Sequence, residues 1–177
     1  MKNETILSVK QLTKAYGSVT VLDHVDIDFR RGEIHALLGE NGAGKSTLCK
    51  AIAGAISPSE GEITIDGKTV TKYNPIAAKQ AGIGMVYQEF NLIPEMTVFE
   101  NMFVGKEIRR GGFVNTKEMI RRSEEIFRDM GIKIDCKERI KNLSVAYCQL
   151  VEIGKALLEN SRILILDEPT APLTNNE

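Results

Sequence analysis

"GENGAGKST", Gly39–Thr47, decides how this chain is read. It fits the spacing G-x-x-x-x-G-K-[ST], in which glycines let successive backbone N–H groups converge on one anion while the next helix adds its positive end. In such a loop Gly39, Glu40, Asn41, Gly42, Ala43 and Gly44 form the cradle. Lys45 reaches the β- and γ-phosphates as a point charge, Ser46 turns its hydroxyl to Mg²⁺, and Thr47 meets the α-phosphate. The flanks suit this reading. "EIHALLG" (33–39) is apolar at nearly every position from Ile34 to Leu38, which predicts a buried strand. A helix is predicted from about Lys45, with Gly54 as its stop. The stretch therefore predicts a nucleotide site.

Further along, "RILILDE" (162–168) predicts a second buried strand that delivers Asp167 and Glu168 at its end. In phosphoryl-transfer proteins with such a loop, one carboxylate there holds Mg²⁺ and the next can polarise an attacking water. Around these two stretches the pattern alternates between strand and helix periods. "TILSVKQL" and "VDIDFRRGE" alternate apolar and polar residues, with Val25, Ile27 and Phe29 on one side and Asp26 and Asp28 on the other. "GEITIDGKTV" reads as strand, Asp66-Gly67 turn, strand, and "GIGMVYQ" as a short buried strand. Asn74-Pro75 is a helix start, cap residue before proline.

From Glu89 to about Asn160 helical spacing takes over. "TKEMIRRSEEIFRDMG" puts Met119, Ile126 and Met130 (with Ile120 and Phe127) on one face, and Ser144 caps a helix running to about Leu158. "RRGGFVN" from Arg109 reads as an exposed loop, and His24 and His35 as packed or satisfied residues of strands. The class is α/β.

Composition narrows the function classes. At 177 residues and 42% hydrophobic, the chain can bury one sizeable core. Lys+Arg 23 against Asp+Glu 24 leaves a net charge of -1 and no electrostatic case for nucleic acid. Cys49, Cys136 and Cys148 show neither metal-ligand spacing nor a disulfide framework, which suits a reducing compartment. No stretch has the roughly 20 apolar residues of a membrane span, and "MKNETILSVK" is too polar for a secretory signal.

Taken in order, "GENGAGKST", "VYQEFNLIPEMTVFEN", "NLSVAYCQLVEIGKALL" and "LILDEPTAPLT" resemble the ATP-binding cassette (ABC) family. They look most like the first of two cassettes in ATPase subunits of bacterial monosaccharide importers, the ribose, xylose and galactoside group. The resemblance runs from about Leu7 to the last residue. It implies a P-loop NTPase core with an N-terminal antiparallel β-subdomain and an all-helical insert, C-terminally incomplete. The divisions fall at about 1–88, 89–160 and 161–177 of a single partial domain.

The resemblance also implies roles. Tyr16 matches the aromatic that stacks on adenine, the alternative being a core tyrosine. Gln88 matches a Mg²⁺ ligand that reports nucleotide state, and Glu168 the catalytic base. Leu143, Ser144, Val145, Ala146 and Tyr147 match the signature motif, which clamps the γ-phosphate held by a second cassette. Val145 and Ala146 replace its usual glycines, and Tyr147 and Cys148 also depart from the pattern. These departures weigh on the site to which this signature contributes. Cys148 itself reads as a small helix residue with no chemistry.

Expected cofactors are ATP and Mg²⁺. Expected partners are transmembrane permease subunits, a second cassette and, indirectly, a sugar-binding protein, at the cytoplasmic face of the inner membrane. The family pattern continues past Glu168 with a helix, a strand and a γ-phosphate-contacting histidine that this sequence lacks. The expectation is a fragment that binds ATP weakly, hydrolyses it poorly or not at all, and exposes a sheet edge and apolar surface. Two other readings stand beside this one: a non-transport ABC protein, and a non-hydrolysing ATP-binding module.

Overall fold

The structure, a computed structural model, describes residues 4–70, 74–87, 89–159 and 161–167. It comprises two compact units, 1–83 and 84–177.

In the first unit, β1 (Thr5–Tyr16) and β2 (Val19–Arg30) form an antiparallel hairpin. β3 (Glu60–Ile65) pairs with the other edge of β1, and β4 (Lys68–Thr69) extends the sheet to the order β2-β1-β3-β4. The central strand is the most buried: Leu7, Val9 and Leu12 are closed to solvent, with Ile63 and Ile65 beside them. On the edge strand β2, half-buried Val25, Ile27 and Phe29 alternate with exposed Asp26 and Asp28, as the period of two requires.

Asp66 and Gly67 both take positive φ (49° and 71°), the two-residue hairpin turn their sequence predicts. Gln11 also sits at positive φ, where the β1–β2 register shifts. There its N–H donates to Asp26 Oδ1 at 2.6 Å. That backbone hydrogen bond, more than any other influence, holds the Asp26 carboxyl below its ordinary range. Helix α1 (Lys45–Ile52) buries Leu48, Cys49, Ala51 and Ile52. Helix α2 (Pro75–Gln80) begins as predicted, the Asn74 side chain accepting from the Ala77 N–H at 2.9 Å.

In the second unit, β5 (Ile83–Val86, its first residue belonging to the first unit) forms a two-stranded sheet with β8 (Ile163–Leu166). Helices α3 (Val98–Phe103), α4 (Thr116–Asp129) and α5 (Val145–Leu158) share one core. Its members include Phe99, Met102, Phe103, Met119, Phe127, Ile140 and Val151. Each helix start has a side-chain cap: Thr97 with Glu100 in a capping box, Asn115, and Ser144. Helices α4 and α5 meet closely, since a β-carbon on Gly154 would lie 3.1 Å from Phe127 Cζ. Among the described residues no helix is long and apolar enough to cross a membrane.

Four expectations need correction. Residues 33–40 form no strand, and Ile34 and Leu38 are fully exposed. A buried strand needs ladder neighbours and covering layers, and no described strand pairs with this segment. For the same reason β8 is half-buried, with β5 as its one neighbour among the described residues. The helical stretch also carries a small exposed hairpin, β6 (Arg109–Arg110) and β7 (Phe113–Val114), around Gly111 and Gly112. Finally, His24 and His35 are exposed rather than packed, although the His24 ring is satisfied by Asp23 Oδ1 at 2.5 Å and His35 meets the Phe29 ring edge-on at 4.9 Å.

Two predictions follow from this packing. Phe127→Ala empties the centre of the helical core and is expected to cost about 3–5 kcal/mol, read by denaturant unfolding. The second concerns Glu118 on α4, whose carboxylate accepts from Arg121 and Arg122 at 2.7–2.8 Å. These bonds lower its pKa from 4.5 to about 2. Because the folded value lies below the unfolded one, the contribution is present above pH 4.5 and lost as pH falls through about 2. The carboxyl resonance of Glu118 should titrate near 2 and move back toward 4.5 in Arg121→Ala/Arg122→Ala.

Candidate functional site

Gly44 governs the loop's geometry. It is the N-cap residue of α1 with φ 83°, and no side chain caps that helix. The start of α1 therefore carries no N-cap side-chain oxygen, and no acid occupies the first turn. A β-carbon at Gly44 would sit 2.9 Å from both the Val21 carbonyl oxygen and Leu22 Cδ2. Only glycine accepts both the left-handed conformation and this approach to β2. The Ala43 N–H closes the turn on the Glu40 carbonyl at 3.1 Å. Lys45 Nζ donates to the Gly39 and Glu40 carbonyls at 2.9 and 3.0 Å, so the ammonium lies within the curl of the loop. Ser46 and Thr47 follow in the first helical turn, both half-buried. A left-handed glycine, an uncapped helix start and a cation inside the curl fit a polyphosphate.

Tyr16 lies at the end of β1, 51% exposed, with Lys14 Nζ 5.0 Å from its ring centroid. The exposure excludes the core-tyrosine alternative. In the β1–β2 register Tyr16 faces Val19 and Lys14 faces Leu22. Gly44 packs on Val21 and Leu22, so the aromatic face and the loop share one end of the hairpin.

In the second unit Asp167 is buried at the end of β8, its N–H donating to the Val86 carbonyl at 3.1 Å. Gln88 and Glu168 lie outside the described residues. Ser144 caps α5 by accepting from the Tyr147 N–H at 3.4 Å. Leu143 and Ala146 are half-buried, while Val145 and Tyr147 are exposed around the helix start. Two of the thiols, those of Cys136 and Cys148, are poor nucleophiles: burial pushes Cys136 up to about 12 and also raises Cys148. Among the described residues no cluster of His, Cys, Asp and Glu could by itself hold a metal ion.

Sequence reasoning missed three polar residues that organise the stretch after Gln88. Buried Asn101 accepts from the Ile93 N–H at 2.7 Å and donates to the Ile93 carbonyl at 3.1 Å. Glu152 and Lys155 on α5 bond the backbone of Asn91. The available signal was an amide set among apolar residues in "VFENMF", and an acid–base pair three apart in a largely apolar helix.

Comparison with known proteins adds independent findings. The ABC transporter family matches residues 22–171. Ribose import ATP-binding protein RbsA 1 of Streptomyces avermitilis is 44% identical over 98% of this chain and 33% of its own length. The galactofuranose transporter ATP-binding protein YtfR of Escherichia coli O157:H7 is 45% identical over 99% of this chain and 35% of its own. The chain thus spans about a third of the length of the curated relatives it matches. Among solved structures, the ADP conformation of an ATP-binding cassette superposes with TM-score 0.83 at 28% identity, covering 97% of this chain and 71% of that one. A dimeric post-hydrolysis cassette bound to ADP and Pi gives 0.79 at 29% identity, covering 96% and 77%.

Gly44→Ala tests the loop geometry. It should destabilise the first unit by about 1–2 kcal/mol from the left-handed backbone alone, and by more because of the Val21 contact. Phosphate-dependent thermal stabilisation should disappear with it, as read by a melting curve.

Proposed function

This chain belongs to the ABC transporter family, and we propose that it is the ATP-binding and hydrolysing part of a protein that powers monosaccharide import. The observation that carries the reading is the loop at Gly39–Thr47, with an uncapped helix start and Lys45 held in its curl. The sugar class rests on the names of relatives matched across nearly the whole chain, ribose and galactofuranose import ATP-binding proteins.

In this proposal the N–H groups of the loop and Lys45 bind and orient the β- and γ-phosphates of ATP, and Tyr16 stacks on the adenine. Ser46, Gln88 and Asp167 would hold Mg²⁺, which supplies charge neutralisation at the phosphates when bound. Glu168 orients water and takes its proton. The water oxygen bonds to the γ-phosphorus as the bond to the β–γ bridging oxygen breaks, releasing ADP and phosphate. Leu143, Ser144, Val145, Ala146 and Tyr147 present the start of α5 to the γ-phosphate of a second cassette. Permease subunits, with a sugar-binding protein acting through them, complete the assembly at the cytoplasmic face of the membrane. We divide the chain functionally at about 1–88, 89–160 and 161–177.

One observation favours a second reading, a module that binds ATP without hydrolysing it. Val145 stands exposed where the family pattern has a glycine, and Tyr147, a further departure from the pattern, is exposed beside it, so bulk crowds the approach to α5.

The test is Mg-ATP binding and phosphate release by the purified chain beside Lys45→Ala. Binding should weaken at least roughly tenfold in the variant, as loss of a charge-assisted phosphate contact implies. Turnover that vanishes in the variant supports hydrolysis. Binding without turnover favours the second reading, and no Mg-ATP binding by the wild-type chain overturns both.

A further inference from the structure

Residues 91–93 have no strand neighbour among the described residues, yet their backbone is held on both sides by side chains. Glu152 Oε1 accepts from the Asn91 N–H at 2.7 Å, and Lys155 Nζ donates to the Asn91 carbonyl at 3.0 Å. Lys155 Nζ also lies 3.4 Å from Glu152 Oε2, closing a ring of two side chains and one residue's backbone. In extended chain a residue's N–H and C=O point to the same side. An acceptor and a donor three residues apart on one helix face can therefore stand in for a strand neighbour. Their side chains are only 11% and 23% exposed, a position that charged groups occupy when paired. Two residues on, the Asn101 amide does the same for Ile93 from α3. Leu92, between them, packs on the helical core.

We propose that Glu152 and Lys155 are positioning residues that lock this segment to α5. Asn91 lies three residues after Gln88, which is assigned to Mg²⁺ in the function proposed above, on which this inference rests. Ser144, assigned to the second cassette's γ-phosphate, caps the same helix that carries Glu152. Eight residues of helix, about 12 Å, separate Ser144 from Glu152. The clamp makes the segment after Gln88 and the start of α5 parts of one stiff body. A change at the first then reaches the second through two hydrogen bonds and a helix axis.

Amide hydrogen exchange on the intact chain tests this without nucleotide. In Glu152→Ala the Asn91 amide should exchange at least roughly tenfold faster, the factor a hydrogen bond to a charged group supports. The Val151 amide, within α5, should keep its rate. Glu152→Gln retains an accepting oxygen and should return Asn91 to within about threefold of wild type. An unchanged Asn91 rate in Glu152→Ala overturns the proposal. So does loss of protection at Asn91 and Val151 together in both variants, which marks a role in folding alone.

With Mg-ATP added, exchange at Asn91 and at the Ser144-capped Tyr147 amide should change together in wild type but not in Glu152→Ala. Changes that stay coupled in the variant overturn the positioning role. A wild-type chain that shows no response to Mg-ATP defeats the nucleotide reading instead, and the nucleotide-free rates still decide the clamp.

Discussion

The approach of Gly44 to the Val21 carbonyl is the contact on which the candidate site depends. At 2.9 Å from where a β-carbon would stand, that oxygen leaves room for hydrogen alone. The left-handed Gly44 opens α1 without a side-chain cap, and the next residue, Lys45, is held in the curl of the same loop. The other side of the contact is β2, and the β1–β2 register then brings Tyr16 to the same end of the hairpin. One steric constraint between a loop and a strand thus organises the anion cradle and the aromatic face beside it.

A second physical theme is shared by both units. Backbone N–H and C=O groups seek partners wherever a ladder is interrupted, and here side chains supply them where strands do not. At the register shift in β1, Asp26 captures the Gln11 N–H and also accepts from its side-chain amide. In the helical unit Asn101, Glu152 and Lys155 satisfy Ile93 and Asn91. These bonds confer order on irregular segments without the length of a ladder. They also tie segments to specific elements, so a local movement is inherited by a helix or a strand. The Cys148 thiol makes a further such contact, donating to the Ile140 carbonyl at 4.0 Å.

Much of the architecture was legible residue by residue. The left-handed glycine turn before α1, the Asn74 and Ser144 caps, the Asp66-Gly67 turn and the alternation of β2 are local signals. Each depends on the steric or hydrogen-bonding character of a few neighbouring residues, so sequence alone determined them. Four quoted motifs carried the resemblance to the family, and a match over residues 22–171 agrees with it. What sequence could not determine was which apolar segments would find neighbours. "EIHALLG" has the composition of a buried strand but no ladder partner among the described residues, and Ile34 and Leu38 face solvent. Tyr16 could have been core or surface, and the choice belongs to its place at the end of a hairpin. The hold of Glu152 and Lys155 on Asn91 spans some sixty residues of chain. Burial and long-range pairing are properties of what arrives from elsewhere in the chain, so the tertiary structure decided them.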